Sequence, residues 1–307
     1  MKKALPFIAI ILFSIQVIGQ NAKKYYKAGE EFLEAKKYND AAAQFTEAIK
    51  LEADYLDAYA ARAKAYEKMF RIEDAINDYQ RGLVFDTENE DLLYNLARLQ
   101  NKIEKYKEAI ETANRALEVD KKHFEVLNEK TRAQIALKQY NNAMASADQA
   151  LDIKKNSMNY YLHGQVMMHL KNYEKAEYDF GRSYFYDNEF IPAYVAKSEA
   201  QCALKKGEEA TATCDEALKI SKEDATVYMA RARSFKVRND YPSAINDLSQ
   251  AMLVAKPTEK ETIHNMRGTY YSEFGQHQAA INDFNVVLEK DKDNFEAFYQ
   301  RAAAYEA

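Results

Sequence analysis

The sequence contains no tryptophan, two cysteines, four prolines and eight glycines among 307 residues. So little proline and glycine cannot build the turns of an all-β protein, and the wealth of Ala, Glu, Lys, Leu and Gln favours helix. Cys202 and Cys214 are too few to be the main source of stability, although an oxidising compartment would permit a bridge between them. Glycine-built phosphate cradles are also missing, since G-x-x-x-x-G-K-[ST], G-x-G-x-x-G and G-x-S-x-G do not occur, nor does H-E-x-x-H. The histidines at 123, 163, 169, 264 and 277 include no i, i+4 pair, and the carboxylates are evenly spread. No metal site, catalytic pair or cofactor is therefore expected, and the chain reads as non-enzymatic.

Excess positive charge is lacking as well. The formal net charge is −5, and about −7 once Lys2 and Lys3 are set aside, a balance that argues against nucleic acid, whose affinity comes from phosphate neutralisation. What the chain does have is 47% hydrophobic and 30% charged residues, enough to bury a core and stay soluble.

The start, "MKKALPFIAIILFSIQVIGQ", places two lysines before an apolar run from Ala4 to Ile18. This is the pattern of a secretory signal peptide over residues 1–19, with an uncleaved anchor helix as the alternative. No cysteine stands directly after the run, so the lipobox of a lipoprotein is missing, and no later stretch is apolar enough for a membrane span.

The body repeats one phrase. "AINDYQRGLVFD" at Ala75 returns as "AINDLSQAMLVA" at Ala244 and "AINDFNVVLEKD" at Ala280. Counterparts of the opening alanine stand at Ala41, Ala75, Ala109, Ala143, Ala176, Ala210, Ala244 and Ala280, with spacings of 34, 34, 34, 33, 34, 34 and 36. Repeat 1 carries Tyr25, Ala28, Gly29 and Phe32 in its first helix and Ala41, Phe45 and Ala48 in its second. This resembles the tetratricopeptide repeat, W-x2-L-G-x2-Y followed by A-x3-F. Small residues at Gly29, Ala63, Ala97, Gly164, Ala232 and Gly268 are expected to let the two helices of a repeat approach closely. Tyrosines at 38, 106, 140, 173 and 241 are expected to close the hairpins, and Asp- and Asn-rich joints replace the family's proline.

The resemblance implies an all-α solenoid of antiparallel helix pairs in a right-handed superhelix over residues 22–307. About eight repeats begin near 22, 56, 90, 124, 157, 191, 225 and 261, with one extra helix from 295. That last helix carries Phe298, Ala302 and Tyr305 in register and is followed by no second helix before Ala307, so either a longer protein or a partner is expected to cover it. An enzymatic or peptidoglycan-binding domain beyond it is the alternative to a free-standing scaffold.

In the family, positions 2, 5, 9, 12 and 13 of each first helix tend to face the concave side. Position 9 reads Lys64, Arg98 and Arg132 in repeats 2 to 4, with Lys68, Tyr94, Asn95, Asn101 and Asn128 nearby. A protein or peptide partner with an acidic segment would fit this ladder; pairing with Glu67, Glu125 or Glu129 would instead satisfy it internally. Repeats 5 to 7 offer an apolar lining at Met158, Tyr161, Met168, Val195, Cys202, Met229 and Val237, either a partner surface or packing between repeats. The leader is similar to those of exported Bacteroidota-type proteins, which implies a periplasmic address, peripheral to the outer membrane, and a place in an envelope complex.

Overall fold

The computed structural model describes residues 21–307, so the expected signal peptide lies outside the described residues. Among the described residues there are helices and no strands. The chain divides into two compact units at the Ile153–Lys154 junction. In the first unit α1 covers residues 21–34, followed by α2 Tyr38–Leu51, α3 Leu56–Lys68, α4 Ile72–Phe85, α5 Glu90–Lys102, α6 Tyr106–Val119, α7 Phe124–Ala136 and α8 Tyr140–Ile153. The second contains α9 Ser157–His169, α10 Tyr173–Tyr186, α11 Ile191–Ala203, α12 Gly207–Ile220, α13 Ala225–Val237, α14 Tyr241–Val254, α15 Lys260–Glu273, α16 His277–Lys290 and α17 Phe295–Glu306. Within each unit successive helices pack side by side as hairpins, α3 on α4 and α9 on α10 for example.

Every alanine that opens the repeated phrase, from Ala41 to Ala280, is fully buried. Each sits in the first turn of the second helix, where a larger side chain has no room. The small position of the first helix meets a large side chain sixteen residues later. A Cβ added to Gly29 would stand 2.5 Å from the Phe45 ring, one on Gly164 2.7 Å from Phe180, and one on Gly268 2.9 Å from Phe284. Ala63 and Tyr79 share a core cluster in repeat 2. In repeat 3, where Ala113 stands in the place of the large residue, Leu93, Leu96 and Leu99 fill the same cluster.

All eight hairpin turns use one backbone device. The residue two before each second helix has a left-handed φ: Lys36, Phe70, Glu104, Lys138, Lys171, Lys205, Asn239 and Gly275. The next N–H then reaches back five residues, as from Lys37 to the Phe32 carbonyl at 2.8 Å and from Gln276 to that of Tyr271 at 2.8 Å. This closes the orphan carbonyls of the first helix in a Schellman arrangement. The tyrosines expected to close the hairpins follow directly, as the half-buried first residues of α2, α6, α8, α10 and α14.

The aspartate of the "AIND" phrase explains the rest of its recurrence. Arg62 grips Asp78 with Nε and Nη2 at 2.7 and 2.6 Å and reaches Thr46 on α2 with Nη1 at 2.9 Å. Arg231 holds Asp247 in the same bidentate way and donates to Asp215 on α12 at 2.6 Å. Arg267 holds Asp283 and donates to Ser249 on α14 at 3.1 Å. Each arginine therefore ties its own hairpin and staples it to the preceding second helix, through a planar fork that a lysine cannot reproduce. In repeat 5 the pair is His163 Nδ1 and the fully buried Asp179, 2.6 Å apart.

Where one repeat meets the next, aspartates do the work of the missing prolines. The Asp120, Asp187 and Asp291 side chains accept the N–H two residues on, a turn that a short acceptor side chain forms locally. Asn89, Asn156, Asp224 and Asn294 cap α5, α9, α13 and α17, each satisfying a free N–H of the first turn.

Candidate functional site

The family's groove positions converge in the second unit. A cleft of about 680 Å³ is lined by Tyr161, Gln165, Met168 and His169 of α9, by Pro192, Val195, Ala196, Glu199 and Ala203 of α11, and by Asp224 and Thr226 at the start of α13. Tyr173 and Phe180 of α10 and Ile191 of α11 complete it. The spacing 161, 165, 168, 169 puts four residues on one helix face, and the repeat places Val195 and Glu199 on α11 where Tyr161 and Gln165 stand on α9. The floor is held rigidly from behind: Phe180 presses on Gly164 and packs against the Tyr161 ring, whose centroid lies 5.8 Å away. Tyr161 also meets Phe190 edge-on at 5.1 Å.

Three members of the expected apolar lining, Tyr161, Met168 and Val195, thus share the cleft. Met158 is half-buried on the first turn of α9 and does not line it. Met229 is a correction: it is 8% exposed and belongs to the core cluster with Ala225, Ala232, Leu248 and Ile263. Its side chain fills space between repeats, the packing alternative to a partner surface. Cys202 and Cys214 are free thiols. Burial pushes them up to about 11 and about 12 respectively.

Two rungs of the basic ladder of the first unit, Arg98 and Arg132, are engaged by the chain itself. Arg98 Nη2 donates to Glu67 Oε2 at 2.6 Å, while Glu67 Oε1 accepts from Tyr79 Oη at 2.9 Å. Arg132 lies 3.5 Å from Glu129, which also accepts from Asn101 at 2.9 Å. Burial drives the Tyr79 hydroxyl well above its ordinary range, with the Glu67 charge adding to the effect, so it remains a donor. Tyr94 stacks on the His123 ring at 5.6 Å. Lys64 and Lys68 are exposed. Lys64 edges a depression of about 260 Å³ together with Asp57, Asn89 and Asp91, so its surroundings are acidic. The ladder was legible only as a row of like charges; Glu67, in an adjacent repeat, gave the competing signal.

The arginine and aspartate staples were missed in the sequence. Their signal is an arginine sixteen residues ahead of an "AIND" aspartate, present at Arg62, Arg231 and Arg267. Among the described residues no group of three or more His, Cys, Asp or Glu is placed to hold a metal ion, and no helix is long and apolar enough to cross a membrane.

Successive antiparallel hairpins with a cleft lined mainly by their first helices define a helical-repeat fold. Residues 90–123 match the tetratricopeptide repeat family. A tetratricopeptide repeat protein from Parabacteroides merdae is similar in fold, with a TM-score of 0.67 at 18% identity, covering 81% of this chain and 98% of that one. A chain of the APC/C hetero-tetramer Cut9–Hcn1 gives 0.64 at 15% identity, over 87% of this chain and 52% of that one. A thermophilic protein of Thermus thermophilus, TTC0263, gives 0.52 at 16%, over 60% and 100%. No curated protein matches the sequence significantly. The chain contains a tetratricopeptide repeat at residues 90–123 and has the tetratricopeptide-repeat fold.

Proposed function

We propose that this protein is an exported, non-enzymatic scaffold of the cell envelope, and that the cleft between α9 and α11 seats a segment of a protein partner. The observation that carries the reading is the alignment of half-buried Tyr161, Met168 and Val195 across adjacent repeats at the positions a tetratricopeptide array leaves open. Apolar side chains lined up on a rigid floor gain by being covered, at about 25 cal/mol for each Å² removed from water. The Cut9–Hcn1 assembly, in which a chain of this fold belongs to a hetero-tetramer, supports a role in holding other proteins. Export rests on the leader at residues 1–19, and the periplasmic address on its likeness to Bacteroidota-type leaders.

A photo-crosslinking residue at Val195 tests the seat. Expressed in a Gram-negative host that exports the chain, it is expected to capture a discrete protein from the envelope fraction. The same probe at exposed Val84, on the other unit, is expected not to capture it. Equal capture from both positions, or recovery of the chain in the cytoplasm with its leader intact, overturns the corresponding part of the proposal.

A further inference from the structure

The cleft is apolar in the middle and anionic at the rim. Its only fully charged lining residues are Glu199 and Asp224, and no lysine or arginine lines it. The contacts of these carboxylates within the chain use one oxygen each. Glu199 Oε1 receives Arg233 at 3.2 Å, and Asp224 Oδ1 caps α13 through the Thr226 N–H and hydroxyl at 2.9 and 2.6 Å. Each keeps a second acceptor oxygen, and the Glu199 side chain is 42% exposed. An acidic ligand entering here would bring like charges together beside a low-dielectric floor, whereas a basic one would meet unspent acceptors.

We infer that the cleft selects a polypeptide segment in which an aromatic or long aliphatic side chain stands next to a lysine or arginine. This rests on the reading of the cleft as the partner's seat and gives it a specificity. The apolar side chain enters between Tyr161, Met168 and Val195, and its basic neighbour lies against Glu199 and Asp224. The choice is opposite to the acidic segment that the sequence suggests for the first unit, where Arg98 and Arg132 are held by Glu67 and Glu129.

The test is binding of the full chain to an immobilised array of random decapeptides. Bound peptides are expected to be enriched at least fivefold in Leu, Ile, Met, Phe or Tyr adjacent to Lys or Arg. Val195→Glu should abolish the selection. Gln165→Lys, at a half-exposed polar position that leaves the core intact, should weaken the basic peptides at least tenfold. The double change Glu199→Gln with Asp224→Asn, in which the new amide oxygen preserves the helix cap, should also weaken them tenfold while sparing uncharged apolar peptides. Enrichment in Asp or Glu, or selection that depends on Val195 but ignores charge, overturns this inference and leaves the partner seat standing. Absence of selection, or selection unchanged in both Val195→Glu and Gln165→Lys, overturns both.

Discussion

Arg231 and Asp247 form a bidentate pair, 2.7 and 2.8 Å from nitrogen to oxygen, across the α13–α14 hairpin, and the third guanidinium nitrogen reaches Asp215 on the preceding repeat. Asp247 is 2% exposed, so its charge depends on that fork for solvation. Replacing Arg231 with Met leaves a buried carboxylate uncompensated and is expected to cost about 3 kcal/mol or more. Arg231→Lys should recover only part, because an ammonium makes no planar fork. Changing Asp247 to Leu together with Arg231→Met should be milder than Arg231→Met alone. Chemical denaturation of the three variants checks the order, and a double variant no more stable than the single one would show that the pair is not the unit that matters.

The glycines separate into two kinds with opposite expected signs. Gly164→Ala places a methyl 2.7 Å from Phe180, in the floor of the cleft. Overpacking there should destabilise by about 1–3 kcal/mol. Gly181→Ala lies within α10, and its new methyl would meet nothing nearer than Lys197 at 3.8 Å. It should stabilise by roughly 0.5–1 kcal/mol through helix propensity. Thermal unfolding of both variants decides, and a stabilised Gly164→Ala would contradict the close approach of α9 and α10.

The alanine period revealed the helix pairs because each repeat must present the same small residue to the same neighbour, and packing admits little else at that point. Other features were hidden for identifiable reasons. The left-handed turn residue is Lys, Phe, Glu or Asn in seven of eight hairpins, so the glycine that ordinarily marks this conformation is absent. The Arg231–Asp247 staple joins residues sixteen apart on two helices, a distance at which neither helical periodicity nor a local motif gives warning. Met229 and Met168 look alike in sequence, yet only Met168 lines the cleft, since the two lie on different repeats with different neighbours. The fate of Arg98 turned on the placement of Glu67, thirty-one residues away.

Cys202 and Cys214 should be unreactive in the folded protein. Burial raises them to about 11 and about 12, so at pH 8 the thiolate fraction of Cys202 is on the order of one in a thousand. Titration with a disulfide reagent at pH 8 is expected to be slow in buffer and rapid in denaturant, with both thiols released together on unfolding. Fast reaction of one thiol in buffer would mean that its surroundings open readily. Finding none after denaturation would mean that the two had been oxidised to a disulfide.

Glu177 on α10 gives the second unit a defined acid sensitivity. Its carboxylate accepts from Lys206 Nζ at 2.7 Å and from Gln201 at 3.0 Å. Burial opposes its ionisation, yet these two bonds with the Lys206 and Lys197 charges outweigh burial and hold it below the ordinary carboxylate range. A depressed folded value means that the unfolded chain binds the proton first. The pair's contribution is therefore complete well above the unfolded value of about 4.3 and is lost as pH falls through the lower folded one. Comparing the wild type with Glu177→Gln, the stability difference should be constant from about pH 8 to 6, begin to shrink near pH 5, and vanish at lower pH. Lys206, raised chiefly by its bond to Glu177, sets the other limit: its contribution is present below about pH 10 and fades as pH rises through its folded value. Denaturant midpoints at intervals of one pH unit measure both limits. A difference that stays level from pH 7 to pH 3 would mean that the Glu177 carboxylate is no better solvated in the folded chain than in the unfolded one.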